Sequence, residues 1–213
     1  MNRKILVFDL DGTIINSKKS IINSFNLAFK KNNLKQINEN FFINNASRGS
    51  RYLIKKNIKK SKIDIEKLNY DFHKIYEKKC EKNVSCRIGV RWFLKKYKKK
   101  YIFIICTNKK TIYAKKILKN LKIKKYFLNI YGSDFFNYKK PSKKLFIKLQ
   151  KEINSRYQYV IIGDSEIDYK FAKNSRIKFI LIKKGYTSVD FQKITQKFAI
   201  DNFFQLNKFL ELI

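Results

Sequence analysis

Apolar residues come in short unbroken runs, and the first sets the pattern. Ile5-Leu6-Val7-Phe8 carries no polar interruption and stops at Asp9, which predicts a strand buried on both faces of a parallel sheet. Unbroken runs at 101–106 and 159–162, with mostly apolar runs at 127–131, broken by Asn129, and 178–182, opening on Lys178, predict four further strands, and Phe198-Ala199-Ile200 a short sixth. Between these runs the period changes to that of a helix. Val90, Phe93, Leu94 and Tyr97 predict a helix over 89–98, and Ile112, Ile117, Leu118 and Leu121 one over 110–122. Pro141 reads as the first residue of a helix reaching 152, and further helices are predicted over 166–174 and 203–212. Strands alternating with helices predict right-handed crossovers and a parallel α/β sheet covered on both faces.

No strand period appears between Asn16 and Arg87. Ser17 reads as the cap of a helix over 18–31, with Ile21, Ile22, Phe25, Ala28 and Phe29 on one face. Short helices are predicted over 38–44 and 50–59. A longer one over 64–82 shows Ile65, Leu68, Phe72, Ile75 and Tyr76 on one face. The interval therefore reads as an all-helical insertion over 16–87, with 1–15 and 88–213 forming the α/β core.

Length supports this division, since 213 residues suit one domain or one domain with an insertion. No apolar run approaches a membrane span, and the four residues before the first strand are too few for a signal peptide, so a soluble cytoplasmic protein is expected. The cysteines, Cys80, Cys86 and Cys106, are odd in number and match neither a disulfide framework nor a zinc motif. The formal net charge of +34 raises the question of nucleic acid. The excess is nearly all lysine, not the arginine that reads phosphate bidentately, and it is spread along most of the chain. Abundant Lys, Asn, Ile, Phe and Tyr resemble the product of AT-rich codons, and the charge reads as compositional drift. It still attracts anionic substrates.

The chemistry sits where strands end. Asp9 and Asp11 follow the first strand within Asp9-Leu10-Asp11-Gly12-Thr13, Thr107 and Asn108 follow the second, and Asp164 and Asp168 follow the fourth. Lys140 precedes the helix after the third. Strand ends of a parallel sheet share one edge, where ligands bind. Crowded acids there repel one another and lose hydration, so folding alone gives no reason to collect them; a cation or a phosphate-transfer site does.

In order and spacing these residues resemble the signature motifs of the haloacid dehalogenase superfamily of phosphohydrolases. The motifs are Asp9-Leu10-Asp11-Gly12-Thr13, Thr107-Asn108, Lys140-Pro141 and Gly163-Asp164-Ser165-Glu166-Ile167-Asp168. The chain looks most like the phosphoglycolate phosphatase-like members, whose helical cap follows the first strand. The resemblance implies a Rossmann-like core and a Mg²⁺-dependent phosphatase. Asp9 would be the nucleophile, forming an aspartyl-phosphate. Asp11 would be the general acid and then the general base. Lys140 would neutralise developing charge, and Thr107 and the Asn108 backbone would hold the phosphoryl oxygens, with Gly12 beside them. Asp9, the Asp11 backbone carbonyl and Asp164 would hold Mg²⁺, whose preference for oxygen donors they suit, with Asp168 supporting the metal site through water or Lys140.

Within the cap, Arg48-Gly49-Ser50 is a loop that could hold a second anionic group through Arg48, and His73, the single histidine, is expected to be structural. Related sugar-phosphate mutases carry a histidine shortly after the first motif. Residues 16–21 here contain none, which favours a hydrolase on a small phosphorylated metabolite. The other readings are such a mutase and a basic nucleic-acid-binding protein on the same fold, the latter supported only by charge and predicting steeply salt-dependent binding. Oligomeric state is not encoded in any pattern above.

Overall fold

Alternate residues of the buried strands face opposite layers, and this alternation builds the protein. The computed structural model describes residues 3–46, 49–58, 63–153, 157–187 and 198–212. In chain order the elements are β1 (Ile5–Phe8), β2 (Ile15–Asn16), α1 (Lys18–Lys31), α2 (Glu39–Asn45), α3 (Ser50–Asn57), α4 (Ile65–Lys79) and β3 (Ser85–Cys86). There follow α5 (Val90–Tyr97), β4 (Ile102–Cys106), α6 (Thr111–Asn120), β5 (Asn129–Tyr131), α7 (Lys143–Ile153), β6 (Tyr159–Gly163), α8 (Glu166–Ser175), β7 (Lys178–Ile182), β8 (Ala199–Ile200) and α9 (Leu206–Glu211). A six-stranded parallel sheet runs in the order β5-β4-β1-β6-β7-β8.

Leu6 and Phe8 of β1 face one layer, together with Phe103, Ile105, Val160 and Ile162 of the neighbouring strands. That layer is closed by Phe93 of α5, Ile117 of α6 and Leu206 of α9. Ile5, Val7, Ile104 and Ile161 face the other, against Leu145 and Leu149 of α7 and Phe171 of α8. Unbroken apolar strands are thus required by burial on both sides. Phe8 is the hub, meeting Phe93, Phe103 and Phe127 edge-on at centroid distances of 6.5, 5.9 and 6.4 Å. With β4 and β6 on either side, the end of β1 lies at the middle of the sheet edge.

Helices α1 to α4 fill the interval between β2 and β3. Phe25 of α1 stacks on Phe72 of α4 at 3.9 Å, and Asn38 and Asp64 cap α2 and α4 through their side chains. The interval does contain strand, contrary to the sequence pattern. β2 and β3 pair antiparallel through Ile15↔Cys86 and Asn16↔Ser85, a ladder too short to leave a two-residue period.

Three local expectations also change. Ser17 precedes α1 but makes no side-chain cap, because its hydroxyl goes to Asp11. Helix α7 starts at Lys143, not at Pro141. Asn108 holds Lys140 in a turn before the helix, and the Lys140–Pro141 peptide is cis. The third strand is shortened to β5 by a 3₁₀ turn, Lys124–Tyr126. Among the described residues, no helix is long and apolar enough to cross a membrane.

Candidate active site

β1 ends by hydrogen bonding: the Asp9 N–H donates to the Ile162 carbonyl at 2.9 Å, carrying the ladder one residue past the strand. The Asp9 side chain then stands at the sheet edge. Lys140 Nζ donates to Asp9 Oδ1 and to Asp168 Oδ1, both at 2.5 Å, and only 4% of its side chain is exposed. Burial works to lower the Lys140 pKa, but the Asp168 and Asp9 charges outweigh it and raise it, so the group stays an ammonium. The neighbouring Lys139 also lines the cleft, yet Lys140 is the lysine that reaches the two acids.

Asp164 and Asp168 are set by local geometry. Asp168 caps its own helix: Ser165 N–H and Oγ both donate to Asp168 Oδ2, at 3.1 and 2.6 Å. This capping box leaves Oδ1 for Lys140. Thr13 Oγ1 donates to Asp164 Oδ1 at 2.7 Å, and the Tyr186 N–H to Oδ2 at 2.6 Å. Gly12 has φ +85° and lies against the Asp164 carboxylate, where a Cβ would overlap it; Gly185 touches the same carboxylate.

Arg87, which sequence reasoning treated only as a boundary, straps these turns together. Its Nη1 donates to the carbonyls of Gly12 and Lys184 at 2.8 Å, and its Nη2 to that of Lys183 at 2.6 Å.

The three carboxylates Asp9, Asp164 and Asp168 offer oxygens that lie within 4.8 Å of one another. Burial pushes Asp164 up to about 7, with the Asp168 charge adding to it. Burial also raises Asp9, against the pull of Lys140. A lone ammonium leaves this trio with excess negative charge. An all-oxygen, electron-rich cluster of this kind fits a hard divalent cation.

Asp11 stands apart from that cluster. Ser17 Oγ donates to its Oδ1, and Lys109 Nζ lies 3.0 Å from the same oxygen. Lys109 was not singled out by any pattern in the sequence. Thr107 is buried, its N–H donates to Tyr131 O at 2.9 Å, and its Oγ1 accepts from the Lys109 N–H at 3.2 Å. The Asn108 side chain is used to hold the Lys140 backbone. Asp134 is structural: its Oδ1 accepts from the N–H and hydroxyl of Thr111 at the start of α6.

These groups border a cleft of about 320 Å³ between the sheet edge and the helical segment. Asp9, Asp11, Thr107, Asn108, Lys140 and Asp164 line one side. Ser50 and His73 line the other. Burial, with Lys110, Arg51, Lys109 and Lys139 adding to it, lowers His73 to about 4, so its ring is neutral at ordinary pH. Arg48 lies outside the described residues, while its neighbour Gly49 also borders the cleft.

Residues 6–182 match the model of the haloacid dehalogenase-like hydrolase family. The chain belongs to this family. It is 25% identical over 210 residues to a phosphoglycolate phosphatase of Mesorhizobium japonicum, covering 95% of this chain and 92% of that one. It is 28% identical over 200 residues to a phosphoglycolate phosphatase of Aquifex aeolicus, covering 89% of each. Among solved structures, a protein described as a predicted phosphoglycolate phosphatase from Haemophilus somnus superposes with a TM-score of 0.89 at 23% identity, over 99% of both chains.

Proposed function

We propose that this hydrolase cleaves a small phosphomonoester bearing a second anionic group, of the phosphoglycolate kind, through an aspartyl-phosphate on Asp9. As a member of its family it is a phosphoric monoester hydrolase. The observation that carries the mechanism is the chain Asp9–Lys140–Asp168, beside which Asp11 stands within a cleft. Residues 16–87 act as the cap that covers this cleft.

In this reading Asp9 Oδ attacks phosphorus, the ester P–O bond breaks, and Asp11 gives its proton to the departing oxygen. Asp11 then takes a proton from water, which attacks the acyl phosphate, releasing inorganic phosphate and restoring Asp9. Lys140 balances charge on the transferring group, and Thr107, Asn108 and Gly12 form its cradle. Asp9, Asp164, Asp168 and the Asp11 carbonyl would hold Mg²⁺, which when bound supplies positive charge to the phosphoryl oxygens.

A second anionic group is supported by Lys110 and Lys139. Both line the cleft, and no salt bridge joins either to an acid among the described residues. Arg48, beside Gly49, is proposed to approach the same end. The deciding experiment is a Mg²⁺-dependent screen of phosphorylated metabolites. The expected result is a higher kcat/KM for phosphoglycolate than for monophosphates of neutral alcohols. No turnover of any member, together with tight DNA binding at physiological salt, would replace this reading with a nucleic-acid-binding one.

A further inference from the structure

Lys109 is the residue of the cleft with the most unusual set of partners. Its backbone belongs to the loop after β4: the N–H donates to Thr107 Oγ1 and the carbonyl accepts from the Ser133 N–H at 2.9 Å. Its side chain leaves that loop and is only 7% exposed. The ammonium lies 3.0 Å from Asp11 Oδ1, donates to the Tyr76 hydroxyl, and sits 4.6 Å from the centroid of the same ring. Tyr76 belongs to α4, so one buried cation ties the proposed proton-transfer group to the helical segment. A buried ammonium needs such a counterion and acceptor set, because an unpaired one loses its hydration without return.

The second observation concerns which carboxylate oxygen is used. Ser17 and Lys109 both bind Asp11 Oδ1. Ser17 reaches that oxygen by a hydrogen bond and Lys109 by an ion pair, so both hold the carboxylate by the same atom. Oδ2 has no bonded partner among the described residues.

We propose that Lys109 is a positioning residue that turns the Asp11 carboxylate so that Oδ2 carries the catalytic proton, and that Tyr76 makes this orientation depend on α4 lying against the loop after β4. The inference rests on the phosphatase reading above. Lys109 forms and breaks no covalent bond in it; it fixes a rotamer.

The test compares two substrates on the Mg²⁺-loaded enzyme. The aryl ester p-nitrophenyl phosphate releases a phenolate that departs with little help from a proton. An alkyl phosphate such as phosphoglycolate releases an alkoxide that needs one. For Lys109→Met the expected result is a kcat/KM loss of about 10²-fold on the alkyl ester and under about tenfold on the aryl ester, because kcat/KM reports the step in which the ester oxygen leaves and not the later hydrolysis common to both. Tyr76→Phe, which keeps the ring and removes the hydroxyl, should shift the same ratio in the same direction by less. Equal losses of kcat/KM on both esters overturn the proposal, because a structural or phosphate-holding lysine acts on both esters alike. Should Lys109→Met fail to fold, Tyr76→Phe decides on the same ratio, and an unchanged ratio overturns the proposal. Wild-type enzyme inert on both esters overturns the phosphoglycolate-type reading above, and this proposal with it.

Discussion

The Asn108 side chain grips both backbone polar groups of Lys140: its Oδ1 accepts from the Lys140 N–H at 2.9 Å and its Nδ2 donates to the Lys140 carbonyl at 3.1 Å. The side chain thus fixes the lysine that bridges Asp9 and Asp168, and the Asn108 backbone is left for the proposed phosphate cradle. Asn108→Ala removes both bonds and loosens that ammonium. The expected outcome is a fall in kcat of about 10²-fold with a smaller change in KM, since misplacement of a charge-stabilising group by an ångström is felt in the transition state. Steady-state kinetics on p-nitrophenyl phosphate checks it.

Asp9→Asn keeps the shape of the side chain and removes the nucleophile. Turnover of any phosphomonoester should vanish. EDTA should silence the wild-type enzyme, and Mg²⁺ should restore it. Activity that survives Asp9→Asn in a clean preparation sinks the aspartyl-phosphate mechanism.

Arg87 donates three hydrogen bonds to carbonyls of two different turns. Arg87→Gln cannot span them. Leaving those carbonyls short of donors should cost about 2–3 kcal/mol of stability, in the range for bonds to a charged group. Urea unfolding should show a lower midpoint with an unchanged slope. The Mg²⁺ concentration for half-maximal activity should rise, because Gly12 and Lys184 flank the turns that hold Asp164.

His73 supplies a pH dependence with a definite sign. Burial, with the surrounding lysines and Arg51, lowers it from 6.5 to about 4. Between these values the unfolded chain binds a proton that the folded one does not, so stability falls as pH drops from about 6.5 to about 4. His73→Gln removes this contribution. Thermal unfolding of the two proteins should give curves that converge toward acid relative to their separation at pH 7. Parallel curves would contradict a neutral buried ring.

The sheet was legible because its central strands are unbroken apolar runs, a pattern that burial on both faces imposes. Asp9, Asp164 and Asp168 were expected to meet because they stand where such runs stop, and Lys140 was marked only by its place before Pro141. Lys109 and Arg87 were not. Each is one of 50 Lys and Arg residues, and its role comes from partners about thirty to a hundred positions away in the chain: Tyr76 and Asp11 for one, Gly12, Lys183 and Lys184 for the other. Ser17 was read from its position before a helix, and the true demand on its hydroxyl came from Asp11. Local pattern locates acids at strand ends; it carries no signal for which long side chain crosses to meet them.

The ladder of β2 and β3 brings the chain's exit from the sheet layer and its return to within one strand spacing of each other. The sheet is thus already closed, as a loop is closed by a clasp, before any helix of the interval is counted. Exchanging α1 to α4 for a segment of another length changes the cost of closing this loop only slowly, by about 0.6 kcal/mol for each doubling of its length. A segment of another length is therefore tolerated there, but any replacement still has to offer Lys109 a partner where Tyr76 of α4 now stands.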